Sequence, residues 1–318
     1  MYYINDKTIN ELTIDWRTII DEIKSATLIH KNNDFCQPIK PYLRYGNPQN
    51  RVIAMPAYIG GDIACAGIKW IASFPSNIEK NLPRAHSILV LNNAETGEPY
   101  CIFNTGTLSA IRTAAVSGLM YELWEKSHDR EIHTIGVLGA GPIAEQHIKM
   151  FSKLAPNVEI LVFDLDRKKA EKLKKINPNI IIENSWEEVY EKSNVFITCT
   201  VSTDRYIDLP PKKTKLILNV SLRDFKENIY EYVSGGIVVD DWDEVCRENT
   251  DIEYLHLNCS LNKEDTLNIR DIVNGELKNI DPNQVIMFNP MGMAIYDMSV
   301  ANRVFQTALS SSFDLKIG

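Results

Sequence analysis

The spacing of apolar residues predicts two differently built parts in this chain. In the first part, apolar positions at helical spacing predict a helix over residues 9–31, and a second helical pattern covers 108–124. Short apolar runs typical of strands lie between them, and the last two are joined by the turn residues Glu95-Thr96-Gly97-Glu98. The strand-like runs cover residues 51–55, 63–71, 87–91 and 100–103. We therefore expect an antiparallel, hairpin-bearing region here.

From residue 134 onward, strand-like and helix-like segments alternate. The predicted segments are 134–138, 142–154, 158–163, 166–176, 180–182, 185–192, 194–200, 215–220 and 236–240. Alternation at this spacing predicts a doubly wound parallel sheet with helices on both faces. After a less regular stretch, a strand over 285–288 and a helix over 294–309 are expected near the end of the sequence.

These patterns predict an α/β protein with two domains, and 318 residues suffice for two substantial cores. We assign residues 119–292 to a Rossmann domain. Residues 1–118 and 293–318 are expected to form a smaller α+β domain for substrate binding and dimerisation, and we expect the protein to be a homodimer.

Composition narrows the possible partners and compartments. The net charge is −8 with no long basic block, which argues against a nucleic-acid or anionic-membrane surface. No basic and then apolar leader begins the sequence, and no apolar run approaches ~18 residues, so we expect a cytoplasmic protein. The six cysteines lack C-x-x-C or paired Cys/His spacing, which argues against a metal site and a disulfide framework. They are expected to be reduced and mostly buried.

The stretch Gly139-Ala140-Gly141-Pro142-Ile143-Ala144 is the most informative motif, because an apolar run over 134–138 precedes it and a helical pattern follows it. This setting is typical of a dinucleotide-binding turn. Gly139 permits the tight turn, Gly141 lets backbone amides approach a pyrophosphate, and the small Ala144 lets the helix pack closely on the strand. We expect NAD to contact Gly139, Ala140, Gly141, Pro142 and Ile143.

A carboxylate and a strand end complete the expected NAD site. Asp164 follows a strand-like run, 25 residues beyond Gly139, and suits a ribose-binding acid that repels the 2′-phosphate of NADP. Arg167, Lys168 and Lys169 follow it and either soften that preference or form a solvated helix face. Open α/β sheets bind ligands at the carboxyl ends of their strands, so the backbone of Thr200 and Val201 is expected to flank the nicotinamide.

Four cations favour an anionic amino-acid substrate. Lys40 and Arg44 lie four residues apart in an extended segment and are expected to point to one face. Lys69 and Arg112 sit among apolar residues, and buried cations are costly unless paired. Arg112 has no acidic neighbour within one helical turn, so a substrate carboxylate held in a bidentate fork is a natural partner. A structural ion pair or a snorkelling side chain is the alternative for each cation.

The chain resembles the ornithine cyclodeaminase and mu-crystallin family over nearly its whole length. The resemblance is carried by Met55-Pro56, Arg112-Thr113-Ala114-Ala115, the stretch from Gly139 to Ala144, and Gly292-Met293-Ala294-Ile295 followed by Asp297. Further motifs are similar to a subgroup of dehydrogenases of 2,3-diaminopropionate biosynthesis. These motifs are the segment from Gln37 to Arg44, Gly67-Ile68-Lys69-Trp70, Val239-Asp240-Asp241-Trp242 and the segment from Asn289 to Ala294.

The resemblance implies an activity and several residue roles. Members of the subgroup oxidise N-(1-amino-1-carboxy-2-ethyl)glutamate with NAD, releasing 2-oxoglutarate and 2,3-diaminopropionate. Positions matching Lys69 and Arg112 contact the substrate carboxylate in the family. Family cyclodeaminases carry a catalytic aspartate five residues beyond an asparagine, which corresponds to Asp224 after Asn219, although the loop here lacks their glycines. A helix cap is the alternative role for Asp224. Asp297 is expected near a helix start as a charge partner.

Two further questions stay open at this level. Either Lys69, once deprotonated, or Asp224 would activate the water that hydrolyses the oxidised substrate. Ornithine cyclodeamination, with catalytic NAD and with proline and ammonia as products, is one alternative activity. Non-catalytic binding of a nucleotide and a small ligand, as in mu-crystallin, is the other.

Overall fold

The computed structural model describes residues 1–128, 130–213, 215–311, 313 and 315–316. It divides into two compact units. Unit 1 comprises Met1–Arg112 and Met293–Gly318, and unit 2 comprises Thr113–Gly292. The division falls at Arg112, whereas the sequence pattern placed the boundary at residue 118.

The elements are as follows in chain order. The strands are β1 (Tyr2–Asn5), β2 (Phe35–Cys36), β3 (Tyr42–Leu43), β4 (Arg51–Ile59), β5 (Cys65–Ser73), β6 (Ala85–Asn93), β7 (Pro99–Asn104), β8 (Thr134–Leu138), β9 (Glu159–Phe163), β10 (Ile181–Ile182), β11 (Val195–Thr198), β12 (Leu216–Asn219), β13 (Ile237–Val239), β14 (Leu267–Asn268) and β15 (Ile286–Asn289). The helices are α1 (Asp6–Glu11), α2 (Trp16–Lys31), α3 (Thr107–Glu125), α4 (Pro142–Leu154), α5 (Arg167–Lys172), α6 (Trp186–Lys192), α7 (Tyr230–Val233), α8 (Trp242–Val245), α9 (Asp251–Cys259), α10 (Ile269–Ile272) and α11 (Ala294–Leu309).

Unit 1 is built on a mixed sheet in the order β1-β7-β6-β5-β4-β2, with β3 also paired to β4. Strands β4 to β7 pair antiparallel, as predicted, whereas β1 runs parallel to β7. Helix α11 packs on β4 and β5 and also contacts α2. A Cβ at Gly67 would lie 2.8 Å from Met298 Sδ, so this glycine permits close approach between β5 and α11.

The single helix predicted over 9–31 is wrong, because the chain forms α1 and α2 with a break between them. Asp15 stands at the N-cap position of α2 with extended backbone angles. The apolar residues that suggested the helix, from Ile19 onward, all lie in α2. The residues before the break instead form β1 and α1, and β1 depends on pairing with β7, about a hundred residues away.

Unit 2 contains a parallel sheet in the order β10-β9-β8-β11-β12-β15-β13-β14, which confirms the predicted doubly wound Rossmann fold. Strand β8 pairs with both β9 and β11, so the direction of winding reverses between β8 and β11. Such a switch point is where open α/β sheets bind their ligands. The less regular stretch between residues 240 and 285 contains β14 and the short helices α8, α9 and α10.

All six cysteines are free thiols. Cys65 and Cys101 are buried, whereas Cys36 is exposed and the other three are half-buried, so the expectation of mostly buried thiols is wrong. No helix within the described residues is long and apolar enough to cross a membrane. The cytoplasmic location stays a prediction.

Candidate functional site

The glycine-rich turn connects β8 to α4 in unit 2. Gly139 has a φ of +93°, and a Cβ there would lie 2.4 Å from the carbonyl oxygen of Cys199, so both the backbone angle and the space require glycine. Gly141 is the N-cap of α4, and a Cβ there would meet nothing within 4 Å. The chain itself therefore does not require glycine at 141. An approaching pyrophosphate gives a reason for it, since amides at a helix N-terminus bind anions.

Asp164 follows β9 and is held beside this turn. Its Oδ2 accepts a hydrogen bond of 2.7 Å from the backbone N–H of Ala140, and its Oδ1 accepts one of 2.7 Å from that of Asp166. Each carboxylate oxygen has a second lone pair, so the group retains acceptor capacity for ribose hydroxyls. The Arg167 guanidinium donates to the Asn184 side chain at 3.1 Å, which favours the solvated-face alternative for this basic run.

The loop after β11 borders the glycine-rich turn. The backbone nitrogen of Thr200 lies 3.4 Å from the position that a Gly139 Cβ would occupy. Val201 in this loop and Ile143 in the first turn of α4 are both exposed apolar residues. Open space at Gly141, a fixed acid and exposed apolar side chains at the switch point fit a bound dinucleotide. The structure thus brings together the residues that the sequence assigned to the cofactor.

Asp224 is fully buried at the edge of the same region. The hydroxyls of Thr200 and Ser221 donate hydrogen bonds to its Oδ1 and Oδ2, respectively. The helix-cap alternative is wrong, because the following helical turn over Glu227–Ile229 has Lys226 at its N-cap and no side-chain capping bond. The catalytic role of Asp224 stays a prediction.

Asp251, at the start of α9, is a buried acid that the sequence did not reveal. It accepts hydrogen bonds from Asn219 Nδ2 at 3.0 Å, from Arg205 Nε at 2.8 Å and from the backbone N–H of Asp224 at 3.1 Å. Burial raises the pKa of its carboxyl to about 6, against the lowering effects of Asn219 and Arg205. No recognisable motif surrounds Asp251, because its partners lie 27 to 46 residues away in the sequence.

A second cluster lies in unit 1, where β5, α3 and α11 each contribute one charged side chain. Lys69 Nζ donates to Asp297 Oδ1 at 3.0 Å and to Ser109 Oγ at 2.7 Å. The Arg112 guanidinium binds Asp297 through Nε at 2.8 Å and Nη2 at 3.1 Å. All three charged residues are buried. The bidentate partner of Arg112 in the structure is therefore Asp297, which is the structural ion pair that the sequence left open as the alternative to a substrate carboxylate.

The charges in this cluster perturb one another. The pKa of the Lys69 amine is lowered to about 8, mainly by burial. Asp297 opposes this lowering, and the positive charges of Arg112 and Lys40 add to it. Burial alone would raise the pKa of Asp297, but Arg112 and Lys69 hold it below its usual value. Asp297 is therefore ionised at neutral pH, while Lys69 loses its proton more readily than an ordinary lysine does.

Lys40 and Arg44 do not share an environment, contrary to the expectation from their spacing. Lys40 is buried and near enough to Lys69 to lower the pKa of that amine. Arg44 is exposed, and its guanidinium lies over the Tyr42 ring at 5.1 Å. The segment bends between them, because 37–41 is irregular and Tyr42–Leu43 pairs with β4 as β3. Substrate binding by these two residues stays a prediction.

Asp297 lies in the first turn of α11, as expected, but does more than neutralise a helix end. Its neighbour Ile295 donates its backbone N–H to Gln37 Oε1 at 3.0 Å, so the segment that carries Lys40 also satisfies the start of α11. The sequence offered one signal for Asp297, its position in the motif that begins at Gly292.

Known proteins similar to this chain carry related activities. The chain is 32% identical to N-((2S)-2-amino-2-carboxyethyl)-L-glutamate dehydrogenase from Staphylococcus aureus, over 97% of this chain and 95% of the relative. Among solved structures, Delta(1)-pyrroline-2-carboxylate reductase from Thermococcus litoralis in complex with NADH and L-proline has a TM-score of 0.88 at 23% identity, covering both chains completely. An archaeal alanine dehydrogenase dimer with bound NAD has a TM-score of 0.82 at 22% identity, over 100% of this chain and 99% of the other.

The two structural matches support the fold, and the sequence matches establish the family. The profile of the ornithine cyclodeaminase/mu-crystallin family matches residues 6–211, which include the glycine-rich turn, Lys69 and Arg112. The resemblance inferred from short motifs is thereby confirmed. This chain belongs to the ornithine cyclodeaminase/mu-crystallin family.

Proposed function

We propose that this protein is an NAD-dependent dehydrogenase that cleaves N-((2S)-2-amino-2-carboxyethyl)-L-glutamate. The substrate, NAD and water would give 2-oxoglutarate, 2,3-diaminopropionate, NADH and a proton. The buried cluster of Lys69, Arg112 and Asp297 is the observation that carries this proposal, because it holds two cations against one carboxylate. The similarity to the Staphylococcus aureus dehydrogenase supports the substrate.

The coenzyme proposal rests on the turn in unit 2. NAD, when bound, supplies the acceptor for the two electrons and the hydrogen removed from the substrate carbon. Gly139 and Gly141 would admit its pyrophosphate to the N-terminus of α4. Asp164 would accept hydrogen bonds from the ribose hydroxyls and repel a 2′-phosphate, so NAD is favoured over NADP.

Arg112 and Lys69 are proposed to bind a substrate carboxylate. Asp297 accepts hydrogen bonds from Nε and Nη2 of Arg112, so the donors left for a ligand are the two N–H groups of Nη1 and the second N–H of Nη2. Asp297 would also keep the guanidinium plane fixed, and a fixed plane improves directional binding of a carboxylate. A bound carboxylate would balance the positive charge that the cluster carries while Lys69 is protonated, and the neutral Lys69 amine would still donate a hydrogen bond to it. The other carboxylates of the substrate would bind to Lys40 and to the exposed Arg44.

Lys69 is our choice for the base. The reaction needs a neutral secondary amine, loss of hydrogen from the adjacent carbon, and attack of water on the resulting C=N bond. Neutral Lys69 would take a proton from that water, after which the C–N bond breaks and the amine departs with a proton. An amine with a pKa of about 8 suits this task near neutral pH. The Asp224 carboxylate is fully buried and already accepts two hydroxyl hydrogen bonds.

A substrate panel tests this proposal. The purified protein is incubated with NAD and either the proposed substrate or ornithine, and NADH, 2-oxoglutarate, proline and ammonia are measured. We expect NADH and 2-oxoglutarate from the proposed substrate, and little or no proline from ornithine. Proline and ammonia formed with only catalytic NAD would favour ornithine cyclodeamination. Binding of nucleotide without turnover of either compound would favour a non-catalytic binding protein of the mu-crystallin type.

We also propose that the protein is a homodimer formed through one face of the unit 1 sheet. Lys69 faces α11, so its neighbour Trp70 faces the opposite side. Trp70 pairs with Ile88 across the sheet, and the two side chains are 46% and 44% exposed. The next row on this face aligns Ile68, Val90 and Ile102. An apolar row beside an exposed tryptophan is typical of a protein interface, and the similar archaeal alanine dehydrogenase is a dimer.

Light scattering coupled to size-exclusion chromatography tests the dimer. Trp70→Glu is expected to convert a dimer to a monomer, because it places a charge in an apolar interface. Leu257→Glu, at an exposed leucine of unit 2, is the matched control and should remain dimeric. A monomeric wild-type protein, or a Trp70→Glu variant that remains dimeric, would contradict the proposed face.

A further inference from the structure

We propose that Asp224 is a positioning residue that holds residues 200–206, hereafter the β11 loop, against the dinucleotide turn. Asp224 would then act on coenzyme binding through Thr200. This inference rests on the NAD site proposed above, and it gives Asp224 a role in coenzyme binding in addition to the catalytic one that the family resemblance implies.

Asp224 ties both ends of the β11 loop. At the start of the loop, the Thr200 hydroxyl donates to the Asp224 carboxylate. At its end, the Asp224 carbonyl accepts hydrogen bonds from the backbone N–H groups of Tyr206 at 3.0 Å and Ile207 at 2.8 Å. Ile207 and Phe225 also form a parallel bridge. The loop is therefore closed on one residue, through its side chain at one end and its backbone at the other.

Asp251 makes further hydrogen bonds that hold the same loop. It accepts from Arg205 Nε within the loop, and from the backbone N–H groups of Asp224 at 3.1 Å and Phe225 at 3.3 Å. The Arg205 guanidinium also lies over the Tyr254 ring at 4.2 Å. Asp251 thus fixes the backbone that carries Asp224 and holds the far part of the β11 loop.

The β11 loop lies beside the dinucleotide turn, so hydrogen bonds that fix the loop also affect the coenzyme site. The first residue of the loop borders the turn, since the Thr200 nitrogen lies 3.4 Å from the position of a Gly139 Cβ. Both segments follow the carboxyl ends of β8 and β11, where winding reverses in the sheet. Val201, the next residue, is 59% exposed and apolar. A fixed Thr200 therefore means a coenzyme-facing backbone that is ordered before NAD binds, which lowers the entropy lost on binding.

The surroundings of Asp224 also fit a residue that holds its neighbours in place. The residue is fully buried, and both carboxylate oxygens accept hydroxyl hydrogen bonds, from Thr200 and from Ser221. The Tyr206 phenol is a third neighbour, and burial together with Asp224 raises the pKa of that phenol. A carboxylate enclosed by three hydroxyl groups is well placed to hold them in position.

NADH binding, followed by its fluorescence without substrate, tests the inference. Asp224→Asn and Thr200→Val should each weaken NADH binding roughly tenfold, because each loses a charge-assisted hydrogen bond that fixes the loop. The double variant should bind little more weakly than either single variant, since both changes break the same link. Thr200→Ser keeps the hydroxyl and should retain most of the affinity. Thr203→Val makes the matched change at an exposed threonine of the same loop and should bind as the wild type does.

Several results would overturn the inference. Unchanged NADH affinity in Asp224→Asn with a large loss of kcat on the proposed substrate would leave Asp224 only the catalytic role. Additive losses in the double variant would mean that Asp224 and Thr200 act separately. Should Asp224→Asn fail to fold, equal NADH affinity of Thr200→Val and Thr200→Ser would still contradict the link. A wild-type protein that binds NADH but does not oxidise the substrate would overturn the proposed reaction alone, and one that binds no NADH would overturn both.

Discussion

Lys69 and Arg112 are both buried, and Asp297 is the charged partner that they share. The packing of α11 on β5 brings this acid to the two cations. The protonation state of Lys69 therefore depends on Asp297, and this dependence can be tested.

The pH dependence of the reaction should follow the Lys69 amine. A base must be deprotonated, so kcat/KM is expected to rise as the pH passes through about 8, the pKa of Lys69. The charge of Asp297 raises that pKa. Asp297→Asn should therefore move the rising limb of the profile to lower pH, even though maximal activity falls. Asp62→Asn, at an exposed acid of unit 1, is the control and should leave the limb in place.

The same titration can be followed without turnover. In protein labelled with ¹³C at the lysine ε-carbon, the resonance that disappears in Lys69→Met should titrate near pH 8 in the wild type and lower in Asp297→Asn. A limb or a resonance that stays at the same pH in Asp297→Asn would show that Lys69 does not set the profile.

Arg112→Lys tests the guanidinium plane. The change keeps the charge but loses the bidentate contact with Asp297 and the third donor nitrogen. We expect roughly tenfold or greater loss in kcat/KM for the proposed substrate. NADH affinity, measured in parallel, should barely change. A folded variant with full activity would make Arg112 a purely structural member of the cluster.

The burial of Lys69 and Arg112 was predictable from the sequence, because an apolar setting marked both as buried cations in need of partners, and both are buried. Asp297, the partner they share, lies 228 and 185 residues away from them in the sequence. No local pattern reports such a contact, so the identity of the partner was not predictable.

At the level of elements, prediction succeeded where the signals were local. Strand β8 and helix α4 were predicted with the bounds they have, because an apolar strand, two glycines and a proline at the first helical position act within a few residues. The break between α1 and α2 was missed, since helical spacing in α2 was extended backwards over it. The two-residue strands β2 and β3 depend on pairing with β4, which no local pattern reports.

The turn between β8 and α4 leads to a prediction about coenzyme choice. Asp164→Ser removes the charge that would repel a 2′-phosphate and also weakens the contact with Ala140. We expect kcat/KM with NAD to fall roughly tenfold, and activity with NADP to rise relative to the wild type. Steady-state kinetics with both coenzymes measures this switch. Equal efficiency with NAD and NADP in the wild type would remove Asp164 as the selecting group.

For the whole molecule, the sequence predicted the class of each unit better than the connections inside it. Alternating strands and helices predicted the parallel sheet of unit 2, and hairpin signals predicted most of the unit 1 sheet. The buried acids of unit 2 were harder to predict from the sequence. Asp224 was found through a family motif. Asp251, at the start of α9, joins Asn219 of β12, Arg205 of the β11 loop and the backbone of Asp224, and such a network exists only once the chain has folded.

The stoichiometry of the proposed reaction is the measurement that tests our account most directly. The wild-type protein is given limiting N-((2S)-2-amino-2-carboxyethyl)-L-glutamate and excess NAD, and the reaction runs to completion. We predict one NADH, one 2-oxoglutarate and one 2,3-diaminopropionate for each substrate molecule consumed, because the electrons leave with the coenzyme and water cleaves the oxidised C–N bond. Consumption of substrate without matching NADH and 2-oxoglutarate, or no consumption by protein that binds NADH, would contradict the account.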